Sequence, residues 1–361
     1  MVDTISIKIS VKNPSGEYIE EEVMNILYSA INNLSYQNNL YFSVSDNCLN
    51  VILSYPRYFY FTNAYLISKK EECLEVNNHF ITYLRNYIIE STGINSMVYL
   101  NYFESNIGIK IIRVDTPFTY YMSAEETFYS YKNVYKILSN IYVYNNSKCN
   151  PKNYDRFLNN EIETLILADT PNVRAYNSKI VIYNQFNKMA DFYQNNVNTF
   201  DQIIKDYPDL QNRIRIEVSK RIRRDFFSPE EFRTFSVFEY VYKFVDYALE
   251  NMFNSTILNI VVEQQKEKLK FLLLQEKQFN KNFSYENFIY KYVEEIWDYD
   301  ILRKAIMETS TKSSSGYCAC SNVSGILYEM EQKPDGRILF LGVIKRIHNM
   351  INYFNQIKRG C

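Results

Sequence analysis

The chain reads as an α+β protein: an N-terminal antiparallel-sheet domain with flanking helices, followed by a mostly helical C-terminal domain. Three observations predict this. Within the first 225 residues, short segments alternate apolar and polar side chains, and several of them are adjacent rather than separated each time by a helix. From Ser228 onward the apolar residues recur almost wholly at helical spacing. Gly and Pro are scarce, at eight each, so few long irregular loops are expected. The character changes near 226, which predicts domains at 1–226 and 227–361.

The elements follow in order. Ile5, Ile7, Ile9 and Val11 alternate with Ser6, Lys8 and Ser10, the period of a half-buried strand. Val23, Ile26, Leu27, Ala30 and Ile31 form one helical stripe. Segments 40–45, 48–55 and 60–67 predict short strands separated by Asn, Asp and Pro. Val76, Phe80, Leu84 and Ile88 mark the next helix. Segments 97–103 and 107–114 predict a strand pair joined through Glu-Ser-Asn. Ser123 and Glu126 have the spacing of a capping box ahead of a helix over 124–138. Strands are expected at 141–144, 163–168 and 179–183, a helix over 187–206 that stops before Pro208, and a strand at 213–219. Ser228-Pro229-Glu230-Glu231 is a helix start, with a Ser cap, Pro at the first helical position and acids in the first turn. Helices are then expected at 229–253, 257–278, 285–309, 323–331 and 337–357, with Thr309 to Ser324 as a serine-rich loop.

Composition narrows the function. With 40 basic and 41 acidic residues the net charge is -1, so any contact with nucleic acid must rest on a local cluster. Tyrosine (34) and phenylalanine (24) are abundant in a way that fits an AT-rich coding bias, so no single tyrosine stands out by being one. Six cysteines are scattered, with only Cys318 and Cys320 close together, which predicts free thiols rather than zinc. The N-terminus has no apolar leader-like core, and no run approaches about 18 apolar residues. The expectation is a cytoplasmic protein with no membrane partner. No Walker, dinucleotide-binding or G-x-S-x-G pattern occurs. The two histidines, His79 and His348, lie far apart in helix-like segments, so no strand carries a histidine pair for a metal.

Three strands carry the candidate chemistry: IKIIRVD, KIVIYN and RIRIEV. Asp115 ends the first and shares a face with Arg113; it is either a hard oxygen ligand for Mg²⁺ or Mn²⁺, or the cap of the turn Asp-Thr-Pro. Glu217 shares a face with Arg213, Arg215 and Ser219, as a second ligand or as half of a cross-strand ion pair. Arg213, Arg215, Lys220, Arg221, Arg223 and Arg224 put six cations within twelve positions against one acid, Glu217. They form either a phosphate-contacting strip or a solvated helix start. Lys179 and Tyr183 lie on the middle strand and Tyr176 just before it; a tyrosine hydroxyl attacks a phosphodiester when a metal and nearby cations stabilise the charge.

The order of these strands, over roughly residues 1–225, resembles the rolling-circle replication initiators of plasmids and phages, of the gene II type. That family shows an R-I-D strand, a strand ending Y-x-K followed by an acid, and an R-I-E strand. The resemblance implies a nuclease-like fold that nicks one DNA strand at an origin through a tyrosyl-DNA ester, with a divalent metal (Mg or Mn) held by acids. Asp115 and Glu217 match the two acids, and Tyr183 matches the tyrosine of the Y-x-K strand. Two positions depart from the pattern: Gln185 stands for the lysine and Lys188 for the acid. The strand Thr164 to Leu167 also lacks the tyrosine often seen there; if that tyrosine is the nucleophile, Tyr176, near Arg174 and Lys179, is the candidate to replace it. The implied partner is origin DNA, single-stranded or hairpin. A non-catalytic DNA-binding or assembly protein on the same fold is the alternative, in which aromatics such as Phe235, Phe244 and Tyr247 build either a homodimer surface or the helical domain's own core.

Overall fold

The alternation at the N-terminus forms strand β1 (Thr4–Val11), with Ile5, Ile7 and Ile9 turned inward and Thr4, Ser6 and Lys8 outward. The computed structural model describes residues 2–360 except 39, 46, 124, 157–160, 173, 224 and 334–337. After β1 come α1 (Tyr18–Asn38), β2 (Tyr41–Ser45), β3 (Cys48–Ser54), α2 (Tyr55–Tyr60), α3 (Lys70–Thr92), α4 (Ser96–Asn106) and the long strand β4 (Ile107–Tyr121). The middle of the chain forms α5 (Lys132–Asn145), β5 (Lys152–Arg156), β6 (Glu161–Ala168), β7 (Ser178–Asn184), α6 (Gln185–Phe192), α7 (Val197–Asp206) and β8 (Arg213–Arg221). A helical region follows: α8 (Pro229–Thr234), α9 (Val241–Asn251), α10 (Ser255–Phe279), α11 (Tyr285–Lys291), α12 (Tyr299–Glu308), α13 (Ser313–Glu331) and α14 (Val343–Gly360). The chain is therefore α+β, with an antiparallel sheet, flanking helices and a helical C-terminal region.

It divides into two compact units, each assembled from two stretches: Met1–Phe118 with Glu217–Phe244, and Thr119–Ile216 with Val245–Cys361. In the first unit the strand order is β2-β3-β1-β4-β8. Its core holds Ile5, Ile7, Ile9, Leu49, Val51, Leu53, Ile109 and Ile111, with Val23, Leu27 and Ile31 of α1 and Phe80 and Leu84 of α3. β4 contains a bulge: Ile7 faces Ile111 while Ser6 faces Arg113, so Ile112 is the extra residue. Before the bulge Ile107, Ile109 and Ile111 are buried; beyond it Val114, Thr116 and Phe118 take over. One inserted residue thus carries Arg113 and Asp115 to the side away from the apolar core.

In the second unit β8 is followed by β7, β6 and β5, with antiparallel pairing of β5 with β6 and of β6 with β7. Its helices pack Leu269, Leu273, Phe288, Ile301, Ile306, Val323 and Leu327 into one core. Phe253 stacks on Phe354 at 4.2 Å between ring centroids. Phe235 and Phe244, both in the first unit, are buried as well, so these aromatics serve as core.

Several expected elements take another form. Segment 97–103 is helix α4, because Tyr102 and Phe103 are buried where the helix packs on α3. Segment 141–144 is the end of α5, where Ile141 and Tyr142 extend the stripe of Val134, Ile137 and Leu138. Segment 60–67 is the end of α2 followed by bends, with Ile67 bridged to Val2. The helix expected over 187–206 is two, α6 and α7, each capped by an Asn side chain. The expected loop from Thr309 to Ser324 is mostly α13, which buries Gly316, Ala319, Cys320 and Val323 along one face. A Cβ at Gly316 would come within 2.8 Å of Met307 Sδ. The helices expected over 229–253 and 285–309 are each interrupted. The Ser228 capping box forms as expected, with the Glu231 N–H donating to Ser228 Oγ at 3.2 Å and the Ser228 N–H to Glu231 Oε2 at 2.7 Å. Among the described residues, no helix is long and apolar enough to cross a membrane.

Candidate functional site

The two candidate metal ligands both belong to the first unit. The Ile222 N–H donates to the Ile112 carbonyl where β8 runs beside β4. That register sets Ser219 opposite Asp115 and Glu217 opposite Pro117. Asp115 and Glu217 therefore share a face on neighbouring strands, one step apart. Asp115 is 4% exposed, and both its oxygens are engaged. Ser219 Oγ donates to Oδ1 at 2.6 Å, and Arg113 Nη2 lies 3.0 Å from Oδ2. Glu217 is half-buried. Among the described residues, no group of three or more His, Cys, Asp and Glu side chains is placed to hold a metal. A cation at Asp115 would have to compete with a guanidinium already in contact.

The candidate tyrosines belong to the second unit. Tyr176 is buried, with Lys179 Nζ 4.6 Å from its ring centroid. Tyr183 is buried on the same side of β7 as Lys179, since they face Thr164 and Ala168 of β6. Arg213 is also buried here. Its Nε and Nη2 donate to the Asp209 carboxylate at 3.0 and 2.9 Å, and the Tyr121 and Tyr207 rings lie 5.8 and 5.6 Å away. Arg215 is 2% exposed, among the largest fully buried side chains. Burial pushes the nearby Tyr353 hydroxyl up to about 12, against the opposing pull of a hydrogen bond from the Thr119 backbone and of the Arg215 charge.

The six-residue basic strip is therefore not one surface. Arg213 and Arg215 are enclosed in the second unit. In the first, Lys220 is half-buried and Arg221 and Arg223 are exposed. Arg224 lies outside the described residues. His79 is an exposed residue of α3 whose Nδ1 lies 2.5 Å from the Tyr58 hydroxyl. Cys48, Cys73, Cys149, Cys318 and Cys320 are free thiols.

The structure also aligns cations that sequence reasoning did not single out. On the outward side of the first unit's sheet, Ser43, Asn50, Lys8 and Lys110 form a row across β2, β3, β1 and β4. The next row holds Tyr41, Ile52, Ser6 and Arg113, and the β4–β8 register sets Arg221 beyond Arg113. Tyr41 and Ile52 are 61% and 37% exposed, and Lys8 and Lys110 are half-exposed. Phe226 lies on this side too: its ring is where a Cβ at Gly108 would fall, at 2.7 Å, and Lys110 Nζ is 5.6 Å from its centroid. The alternation of β1 showed Lys8 pointing outward, but only strand pairing brings Lys110 beside it.

Compared with protein-family models, with curated proteins and with solved structures, the chain matches none, so its function rests on the chemistry of these side chains.

Proposed function

We propose that the chain is a DNA-binding protein of the replication-initiator kind that holds DNA without cutting it. Exposed Arg221 and Arg223, with half-buried Lys220, concentrate positive charge where β8 ends, in a chain whose net charge is only -1. One observation favours binding over nicking: the Asp115 carboxylate is buried, with one oxygen on Ser219 and the other on Arg113. Such an acid is held in an ion pair with half-buried Arg113, and a cation would have to displace that contact and the Ser219 hydrogen bond together.

Nicking is the second reading, and the shared face of Asp115 and Glu217 on neighbouring strands favours it. In that case these two carboxylates hold Mg²⁺ or Mn²⁺ and a tyrosine hydroxyl supplies the nucleophile. Single-stranded and duplex oligonucleotides tiling the DNA around the gene separate the readings. With Mg²⁺ or Mn²⁺ present, the expected result is a mobility shift and no protein–DNA adduct that survives detergent. An adduct lost on Tyr176→Phe or Tyr183→Phe overturns the binding-only reading. Absence of any shift overturns DNA binding altogether.

A further inference from the structure

We infer that the outward side of the first unit's sheet is a platform for single-stranded DNA, with Lys8 and Lys110 contacting phosphate and Tyr41 offering a stacking surface. This rests on the DNA-binding reading above and extends it to residues outside the β8 strip. Three observations carry it. Lys8 and Lys110 face each other directly across β1 and β4. Like charges opposite one another destabilise a strand pair, and an anion lying across both removes the repulsion. The surface around them is polar and cationic: Ser43, Asn50 and Ser6 continue the rows, Arg113 and Arg221 extend the charge, and of the acids Asp115 is bound to Arg113 while half-buried Glu217 lies a step further along β8. Aromatic rings stand near this cationic patch, Tyr41 in the next row and Phe226 beside Lys110.

The form of the ligand follows from the shape. A duplex groove admits a helix or a two-stranded ribbon, whereas these rows cross four strands of one sheet side. Only an unpaired strand can present base faces to Tyr41 while its phosphates meet the lysines. Charge complementarity therefore selects a polyanion, and the exposed ring selects one with free bases.

Fluorescence anisotropy with a labelled mixed-sequence single strand and the corresponding duplex tests this on the full chain. Lys8→Gln combined with Lys110→Gln removes two phosphate contacts. That should weaken single-strand binding about 25-fold at ~0.1 M salt and reduce the salt slope by about 1.4. Tyr41→Ala should weaken single-strand binding about tenfold and leave duplex binding unchanged. The lysine variant should melt no lower than the wild type, because a repulsive pair has gone, so a loss of binding is not a loss of folding. Single-strand binding that survives both variants but disappears in Arg221→Gln combined with Arg223→Gln overturns the platform and leaves DNA binding at the β8 end standing. Failure of the wild type to bind either DNA overturns both.

Discussion

Arg213 and Lys8 occupy the same kind of position, the polar side of an alternating strand, yet one is enclosed and the other open. In the second unit Arg213 is buried between Tyr121 and Tyr207 and gripped by both oxygens of Asp209. Its neighbour but one, Arg215, is more buried still. In the first unit Lys8 is half-exposed and meets another cation, Lys110. Alternation states which side a charge takes. Whether a further layer covers that side decides between structural ion pair and binding surface, and strand patterning carries no such information.

The largest expected effect tests the enclosed side. Arg215→Ala should cost about 3–5 kcal/mol in urea denaturation, since it empties a large, almost fully buried site. A cost below about 1 kcal/mol would mean that Arg215 is solvated after all, and the contrast with Lys8 would collapse.

A second enclosed pair should show the same behaviour through pH. Burial lifts the Glu126 carboxyl, but hydrogen bonds from Arg346 and Tyr131, together with the Arg346 charge, outweigh it and hold the group below the usual glutamate value. The unfolded chain then binds the proton more readily than the folded one. This stabilisation is complete above the unfolded value, roughly 4.3, and is lost as pH falls through the lower folded value. Glu126→Gln should cost about 1–3 kcal/mol at neutral pH, the lower end applying because Arg346 still reaches water. Urea midpoints at pH 7 and at about pH 3 should lie closer together in the variant than in the wild type. Equal acid sensitivity in both would show that Glu126 contributes nothing to it.

The smallest effect has the most telling sign. Lys8→Glu turns a repulsive cross-strand pair into an attractive one and should stabilise the fold by about 0.2–1 kcal/mol. The same change should weaken DNA binding. Stability and affinity moving in opposite directions would mark Lys8 as kept for a ligand; both falling together would mark it as part of the fold.

Much of the architecture was legible because it follows local periodicity. β1, β7 and β8, the stripes of α1 and α3 and the Ser228 cap all appear where spacing places them. Even the β4 bulge leaves a trace, since Ile111 and Ile112 break the alternation just before Arg113. The failures share a cause. Met97 to Phe103 is rich in residues that favour strands, and 313–324 is rich in serine, which disfavours helices. Both became helices because the side chains they bury, Phe103 in one case and Cys320 and Val323 in the other, lie at helical spacing against a neighbour. At the candidate site, the strand pattern put Arg113 and Asp115 on one side and Glu217 beside Ser219. It did not show that Asp115 spends both oxygens on Ser219 and Arg113, a cross-strand bond and an ion pair that require the register.

By itself, then, the order of residues determined the α+β class, the side taken by charges on regularly alternating strands such as β1, and the local charge density after Arg213. Tertiary structure alone decided which cations remain in water, which acid is neutralised and which lysines stand side by side. The physical reason is range: periodicity and capping act over a few residues, whereas burial and strand register depend on partners such as Lys8 and Lys110, or Asp115 and Ser219, roughly a hundred positions apart.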